Sequence, residues 1–283
     1  MPRFSFWRSV FWTFAAGIVS GASIGLWSLF VAPRRPRLER VTLPLPFPQE
    51  RLTGLRIGFL TDTHIGPSFS PADLIRAVDL LRNEQPDLIL MGGDFASESP
   101  RYAEQAADAV APLTNVARLG AYAVLGNHDI ECGPKKVSAA LAAKGVRVLR
   151  NEAVAVDTGR GTLWIAGVDE VTHFNHDAKG TFAQIPPAEA ILALWHEPDL
   201  AEQAAELGAF AQLSGHTHGG QVRFPFIGPL VLPRFGRRFV RGKFPVDGMT
   251  LYVSRGAGVY RPPVRFRCPP EVTLVTLGKP EVC

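Results

Sequence analysis

Ser214-Gly215-His216-Thr217-His218-Gly219-Gly220-Gln221 sets two imidazoles one residue apart inside a glycine-rich frame, a run that packing alone does not call for. Successive side chains of an extended backbone alternate faces, so His216 and His218 are expected to point the same way. The flanking glycines leave the main chain bare enough for an ion or a substrate to approach closely. Taken alone, the run also reads as a pair of surface histidines in a flexible turn, and its partners elsewhere in the chain decide between the two.

Four other blocks supply such partners. Thr61-Asp62-Thr63-His64 repeats the one-apart spacing with a carboxylate and an imidazole, directly after the apolar run Leu55 to Leu60. Met91-Gly92-Gly93-Asp94 follows Asp87 to Leu90. Leu125-Gly126-Asn127-His128-Asp129 follows Ala121 to Val124, and His196 follows Ile191 to Trp195. Each block puts metal-ligand residue types at the carboxyl end of a short apolar run, the edge where ligands gather in α/β sheets. Between the first two runs, Ser70-Pro71 reads as a helix cap with proline at the first position, continued by Leu74, Ile75, Val78 and Leu81 and stopped by Pro86. Strand and helix alternate through this half of the chain, so the sheet there is expected to be mainly parallel. Helices are also expected over 101–110, 134–144 and from Pro198. Strands are expected at 146–149, 153–156, 163–168, 191–194 and 210–213, with a second sheet assembling from Val222 onward through 251–254 and 272–277.

Five blocks in this order resemble the calcineurin-like metallophosphoesterase superfamily, over nearly all of the chain after about residue 50. The resemblance implies an α/β fold, a four-layer βαβα sandwich of two mixed sheets. Carried over residue by residue, it also implies Asp62, His64 and His218 on one metal, Asn127, His196 and His216 on another, Asp94 bridging the two, and His128 beside the substrate phosphate as the catalytic side chain. Two carboxylates, one amide and four imidazoles suit two divalent ions drawn from Mn, Fe, Zn, Co or Ni better than calcium's all-oxygen shell. Paired ions of this kind activate water and clamp a phosphate for in-line displacement. His128 also reads as a structural histidine, and His196 alone would more often be a hydrogen-bonded core residue. Asp129 reads as an orienting or solvated carboxylate. His173 and His176 lie in a polar loop that is either a substrate-facing rim or plain surface.

The chain has 283 residues, room for one large core or two modest ones. Three cysteines, Cys132, Cys268 and Cys283, imply no disulfide framework, the first two reading as packing residues and the third as a tail residue. A net charge of +4 hides a segregation: residues 1–40 carry +5, residues 41–233 carry −8 and residues 234–267 carry +8. Basic flanks around an acidic body suit anionic lipid, nucleic acid or phosphate substrates, and charge does not choose among them.

Val10 to Ala32 is a 23-residue stretch without a charge, long enough as a helix to cross a bilayer. Trp7, Trp12 and Trp27 stand near its ends, where interfacial aromatics are favoured. A cleaved signal peptide is the competing reading, although its apolar region would be shorter. Residues 1–40 are therefore expected to be one transmembrane helix and a basic linker, and residues 41–283 the metallophosphoesterase catalytic domain, with an edge strand near Arg40 to Leu45. Gly17, Gly21 and Gly25 share one helix face, which suits a homodimer through the anchor. Arg34, Arg35, Arg37 and Arg40, against Arg3, Arg8 and the amino terminus, favour a cytoplasmic body.

Arginines interleaved with aromatics from Arg234 to Arg267 fit a phospholipid surface or a diphosphate head group beside acyl chains, and the apolar turn Phe224 to Leu232 reads equally as a turn that dips into lipid and as a β-hairpin covered by core. The anchor, the Gly215-His216-Thr217-His218-Gly219-Gly220-Gln221 block and the arginine-rich end together resemble the membrane-tethered branch of the superfamily, phosphodiesterases and UDP-2,3-diacylglucosamine pyrophosphatases. The implied partner is a phosphate-ester or diphosphate substrate, lipid-linked and held at the membrane. Nucleotide or nucleic-acid phosphodiester hydrolysis is the alternative, less favoured because nucleic acid contacts need no bilayer. A non-catalytic membrane metal-binding scaffold is a third reading.

Overall fold

Short apolar runs such as Leu88-Ile89-Leu90-Met91 and Ile191-Leu192-Ala193-Leu194 have no polar face, so their strands need cover on both sides. The computed structural model, which describes residues 3–46 and 48–278 and the backbone alone for residues 3–10, provides that cover with two sheets set face to face. Cys283 and the side chains of Arg3, Trp7 and Arg8 lie outside the described residues.

In chain order the first half contributes α1 (Arg3–Leu26), β1 (Arg37–Pro44), β2 (Arg56–Leu60), α2 (Pro71–Arg82), β3 (Leu88–Met91), α3 (Ala103–Val110), β4 (Ala121–Ala123), α4 (Asn127–Glu131), α5 (Pro134–Ala143) and β5 (Val146–Val148). The second half contributes β6 (Glu152–Asp157), β7 (Thr162–Val168), α6 (Ala178–Phe182), β8 (Ala190–Trp195), α7 (Ala201–Glu206) and β9 (Ala211–Ser214). A two-residue pair β10 (Arg223–Phe224) and β11 (Gly228–Pro229), then β12 (Gly242–Val246), β13 (Met249–Val253) and β14 (Glu271–Gly278), complete it. One sheet has the order β1-β14-β2-β3-β4-β5 and the other β12-β13-β9-β8-β7-β6. Both are mixed: β2, β3, β4 and β5 run parallel and β14 antiparallel to β2, while β7, β8, β9 and β13 run parallel with β6 and β12 antiparallel at the edges.

Leu43, Phe59 and Leu90 of the first sheet, with Val124 just past β4, meet Ile165, Leu192, Leu194 and Leu213 of the second in a continuous core. Helices α2, α3 and α5 cover the outer face of the first sheet, and α6 and α7 that of the second, so the layers run helix, sheet, sheet, helix. Each fully buried Leu, Ile or Phe contributes about 1.5–3 kcal/mol relative to exposure.

Local sequence explains the helices. The Ser70 amide and hydroxyl both donate to Asp73, at 2.9 and 2.8 Å, and Pro71 occupies the first turn of α2. Leu74, Ala77, Val78 and Leu81 form its buried stripe. Ile75, expected in that stripe, is 57% exposed instead, because it lies about 100° round the helix from Leu74 and so off the face that Leu74, Val78 and Leu81 share.

Two strands depart from expectation. β14 does not join a second sheet: it inserts between β1 and β2, where Val272 faces the helical layer and Val275 and Leu277 the inter-sheet core. The second sheet already begins at β6. β1 is the edge strand expected near Arg40, and it starts at Arg37, so residues 37–40 belong to the sheet rather than to a linker.

Before β1, the helix α1 continues through a widened turn at Trp27–Val31 and a tight one at Ala32–Arg34. The span Phe11–Arg34 is long and apolar enough to cross a membrane, and little of it beyond Ser28 and Pro33 is buried against the rest of the chain. Gly17, Gly21 and Gly25 face open space. The basic segment near the carboxyl end is not one exposed stripe. Arg265 is buried, and Arg255 pairs with Glu39 and Glu271, Arg238 with Glu202 and Arg261 with Glu98.

Candidate metal centre

The loops after β2, β3 and β4 in one sheet and after β8 and β9 in the other end at the same edge of the sandwich. They carry Asp62 and His64, Asp94, Asn127 and His128, His196, and His216 and His218, all eight of the residues singled out from the sequence. Asp62, His64 and His218 form one group whose ligand atoms all lie within 4.8 Å of one another, and Asp94, His196 and His216 form a second. His64, Asp94 and His128 satisfy the same criterion. Asp94 stands between the groups, with Oδ2 3.5 Å from His64 Nε2 and 3.2 Å from His196 Nε2.

An extended strand does not describe this arrangement. Asp62, His64, Asp94, His216 and His218 all take positive φ, from 47° at His64 to 68° at His216. Non-glycine residues rarely adopt this region, although Asn, Asp and His do so more readily than others, and clusters of such residues mark functional sites. The left-handed turns send His216 toward His196, with ring centroids 4.9 Å apart, and His218 toward His64, at 4.7 Å. The two histidines of the opening run therefore serve different groups. Gly215 and Gly126 leave the necessary space: a Cβ at Gly215 would collide with Thr61 and Asp62, and one at Gly126 with Asp94.

The surrounding hydrogen bonds aim the ring nitrogens. His196 Nδ1 donates to the Gly92 carbonyl at 2.6 Å, which turns Nε2 toward Asp94. His216 Nε2 donates to the Arg234 carbonyl at 2.7 Å, so its free nitrogen is Nδ1. His64 Nδ1 lies 2.6 Å from Ser97 Oγ, and its Nε2 lies 2.8 Å from Nε2 of His218. Asp62 accepts the Thr61 hydroxyl at 3.0 Å and the His216 amide at 3.0 and 3.2 Å. Asp129 is an orienting carboxylate: it accepts the amides of Phe95, Ala96 and Gly126 at 2.8, 3.1 and 3.1 Å, tying the Asp94 loop to the Asn127 loop.

Burial dominates the electrostatics. Loss of solvent drives His64 and His216 down to about 3 and His218 well below its usual range, so these imidazoles are neutral and have lone pairs to give. Desolvation, with Asp94 nearby, lifts Asp62 to about 6. At Asp94 burial is outweighed by His196 and His128, which hold the carboxyl well below its usual range, and the same Asp94–His196 pairing lifts His196 well above its own. Asn127 Oδ1 and His196 Nε2 are buried without a hydrogen-bond partner, His196 Nε2 lying near Asp94 but not aligned for one. A divalent cation would satisfy both orphaned atoms, taking the place of the proton that Asp94 holds on His196, so the donor set fits the metals that the sequence implied.

His128 occupies a different position from the rest. It is half-buried, its amide donates to Asp94 Oδ1 at 2.9 Å, its Nδ1 pairs with Glu131 at 3.0 Å, and its ring stacks on Tyr260 at 4.3 Å. His173 reaches toward the same Glu131, 4.0 Å away, whereas His176 lies against Trp195. Tyr260 and Arg265 escaped sequence reasoning: the first is one aromatic in a loop, and the second is indistinguishable by type from the other arginines around it. A cavity of about 410 Å³ opens over the cluster, with Asp94, Asn127, His216 and His218 on its floor and Leu230, Val231 and Pro262 on its wall.

A family model described as calcineurin-like phosphoesterase matches residues 55–220. The chain is 31% identical over 282 residues to the uncharacterized metallophosphoesterase YkuE of Bacillus subtilis (strain 168), covering 98% of each. It is 32% identical over 248 residues to the phosphodiesterase YaeI of Escherichia coli (strain K12), covering 84% of this chain and 88% of that one. A Danio rerio transmembrane protein with metallophosphoesterase domain is 28% identical over 274 residues, 92% of this chain and 61% of the relative.

Proposed function

The chain belongs to the calcineurin-like phosphoesterase family and is a metal-dependent phosphoesterase, and from that premise we propose that it hydrolyses a phosphodiester or diphosphate bond in a lipid-linked substrate, of the type of UDP-2,3-diacylglucosamine. The observation that carries this reading is the two-sided cavity, with a polar floor of candidate ligands and an apolar wall of Leu230, Val231, Pro233 and Pro262. A phosphate ester attached to an acyl chain matches both surfaces, whereas a free nucleotide leaves the wall without a partner.

In this reading Asp62, His64 and His218 would hold one divalent ion, Asn127, His196 and His216 the other, and Asp94, which stands between the groups, would serve both. When bound, the ions supply Lewis-acid stabilisation of the charge that develops on the phosphoryl oxygens. Asp129 and the Gly92 and Arg234 carbonyls keep the ligand atoms in place before substrate arrives. His128 acts on the substrate: with Nδ1 held by Glu131 and the ring braced by Tyr260, Nε2 is free to protonate the leaving oxygen as the P–O bond breaks and water bonds to phosphorus.

In the same reading a membrane anchor and basic linker precede the catalytic body, whose first strand is β1. Arg34, Arg35, Arg37 and Arg40 on the body's side of the span favour the cytoplasmic face. The test is metal-reconstituted chain in vesicles assayed against mono-, di- and pyrophosphate esters, including UDP-linked diacylglucosamine and nucleotides. Preference for the acylated diphosphate supports the lipid reading. Preference for nucleotides replaces it with a nucleotide phosphodiesterase, and metal binding without turnover of any ester leaves a scaffold.

A further inference from the structure

The turn between β10 and β11 exposes an apolar tip. Phe226 is fully exposed, Ile227 is 73% exposed and, just beyond, Val231 is 78% exposed. A solvated turn normally carries glycine, asparagine or aspartate where φ is positive, yet here Phe226 takes φ 65° and holds its ring outward. A contiguous exposed apolar patch marks an interaction surface.

Residues 261–267 show what lies against it. Arg261 and Pro262 line the mouth of the metal cavity together with Leu230 and Val231. One residue on, Pro263 lines a small cavity with Leu29 and Phe30 of the anchor's outer end. The Arg265 amide donates to the Ser28 carbonyl at 2.9 Å. Phe266 packs on Phe224 at the base of the turn, 5.4 Å between centroids, and shares a cavity of about 790 Å³ with Ile24 and Trp27. Site mouth, apolar turn and the end of the candidate span thus lie side by side. The same large cavity is lined by Arg35, Arg37, Arg76 and Arg267, with no carboxylate in its lining and no ion pair to any of the four among the described residues. Uncompensated guanidinium groups at this level match the anionic head groups of a bilayer.

We propose that the β10–β11 turn, with Phe226 and Ile227 at its tip, enters the bilayer as a second contact beside the anchor and holds the mouth of the metal site against the lipid surface. The proposal rests on reading Phe11–Arg34 as a membrane span and the substrate as lipid-linked. The anchor's contacts at Ser28, Leu29 and Phe30 hold the body on one side only. A second contact fixes which way the mouth faces, so a substrate whose acyl chains stay in lipid passes its phosphate directly across Leu230 and Val231.

The test uses the full chain in vesicles of phosphatidylcholine and phosphatidylglycerol, with Cys283→Ser as background and an environment-sensitive fluorophore on Phe226→Cys, Ile18→Cys in the anchor or Asp157→Cys on the far edge strand β6. Doxyl-labelled lipid should quench positions 226 and 18 several-fold more than position 157. Quenching at 18 with none at 226 overturns the second contact and leaves the anchor standing. Quenching at neither overturns both. In parallel, Phe226→Ser/Ile227→Ser should keep kcat/KM on soluble bis(p-nitrophenyl) phosphate and lose roughly tenfold in turnover of UDP-diacylglucosamine held in the vesicle. Unchanged lipid turnover by that variant overturns the proposed role. If the parent chain turns over no lipid ester while 226 is quenched, the substrate reading falls and the bilayer contact stands.

Discussion

Arg265 Nη1 donates to the His218 carbonyl at 2.9 Å, and its Nη2 donates to the carbonyls of Gly256 and Gly258 at 3.2 and 2.5 Å. A buried guanidinium held by main-chain oxygens braces the loop that presents His218. Through its own amide the same residue is tied to Ser28 at the end of the anchor.

Arg265→Ala should therefore loosen that loop while leaving the main-chain link to Ser28 in place. Each carbonyl left without a donor costs about 1–3 kcal/mol, so a loss of at least about 3 kcal/mol is expected. Scanning calorimetry should show Tm lowered by roughly 6–12 °C, and metal content should fall with it. A change under about 2 °C would mean that water replaces the guanidinium at no cost.

Asp94 touches both ligand groups, with His64 and His196 on either side of Oδ2 and the His128 amide on Oδ1. Asp94→Asn keeps the shape and removes the charge. Turnover of a model diester should drop by roughly 10²–10³-fold, the scale of losing one electrostatic contact to a transition state, and metal analysis should find less than the parent holds. Full activity in this variant would remove Asp94 from the bridging position.

His128→Ala should retain the parent's metal content and lose roughly 10²–10⁴-fold in kcat, the range for a general acid. Loss of metal from this variant would make His128 a ligand instead, in the group that it forms with His64 and Asp94.

Burial, together with Asp129, lifts the Cys132 thiol from 9.0 to about 11. Between those values the unfolded chain has released the proton and the native chain has kept it, so stability contributed by this group falls as pH rises from about 9 to 11. Native protein at pH 9 should resist iodoacetamide at Cys132 while urea-unfolded protein is alkylated readily, as mass spectrometry would show. Equal rates in the two states would mean that the thiol is open to solvent. Cys132→Ala should flatten the stability slope in that window.

Sequence alone determined the features set by neighbours within a turn or a strand: the capped start of α2, the alternation of strands and helices in the first half, and the polar blocks at the carboxyl ends of apolar runs. Periodicity and capping are local, so residues a few positions apart encode them. Tertiary structure alone decided how those pieces meet. Val272 to Leu277 carries apolar residues on both faces, which any buried strand would show, and only pairing with Arg37–Pro44 and Arg56–Leu60 placed it in the first sheet. His216 and His218 have the spacing of a same-face pair, yet left-handed turns at both send them to different groups, because each ring is drawn by a partner from another loop. Arg265 reads as surface charge until the carbonyls of His218, Gly256 and Gly258 close around it, and no residue type announces contacts made across the fold.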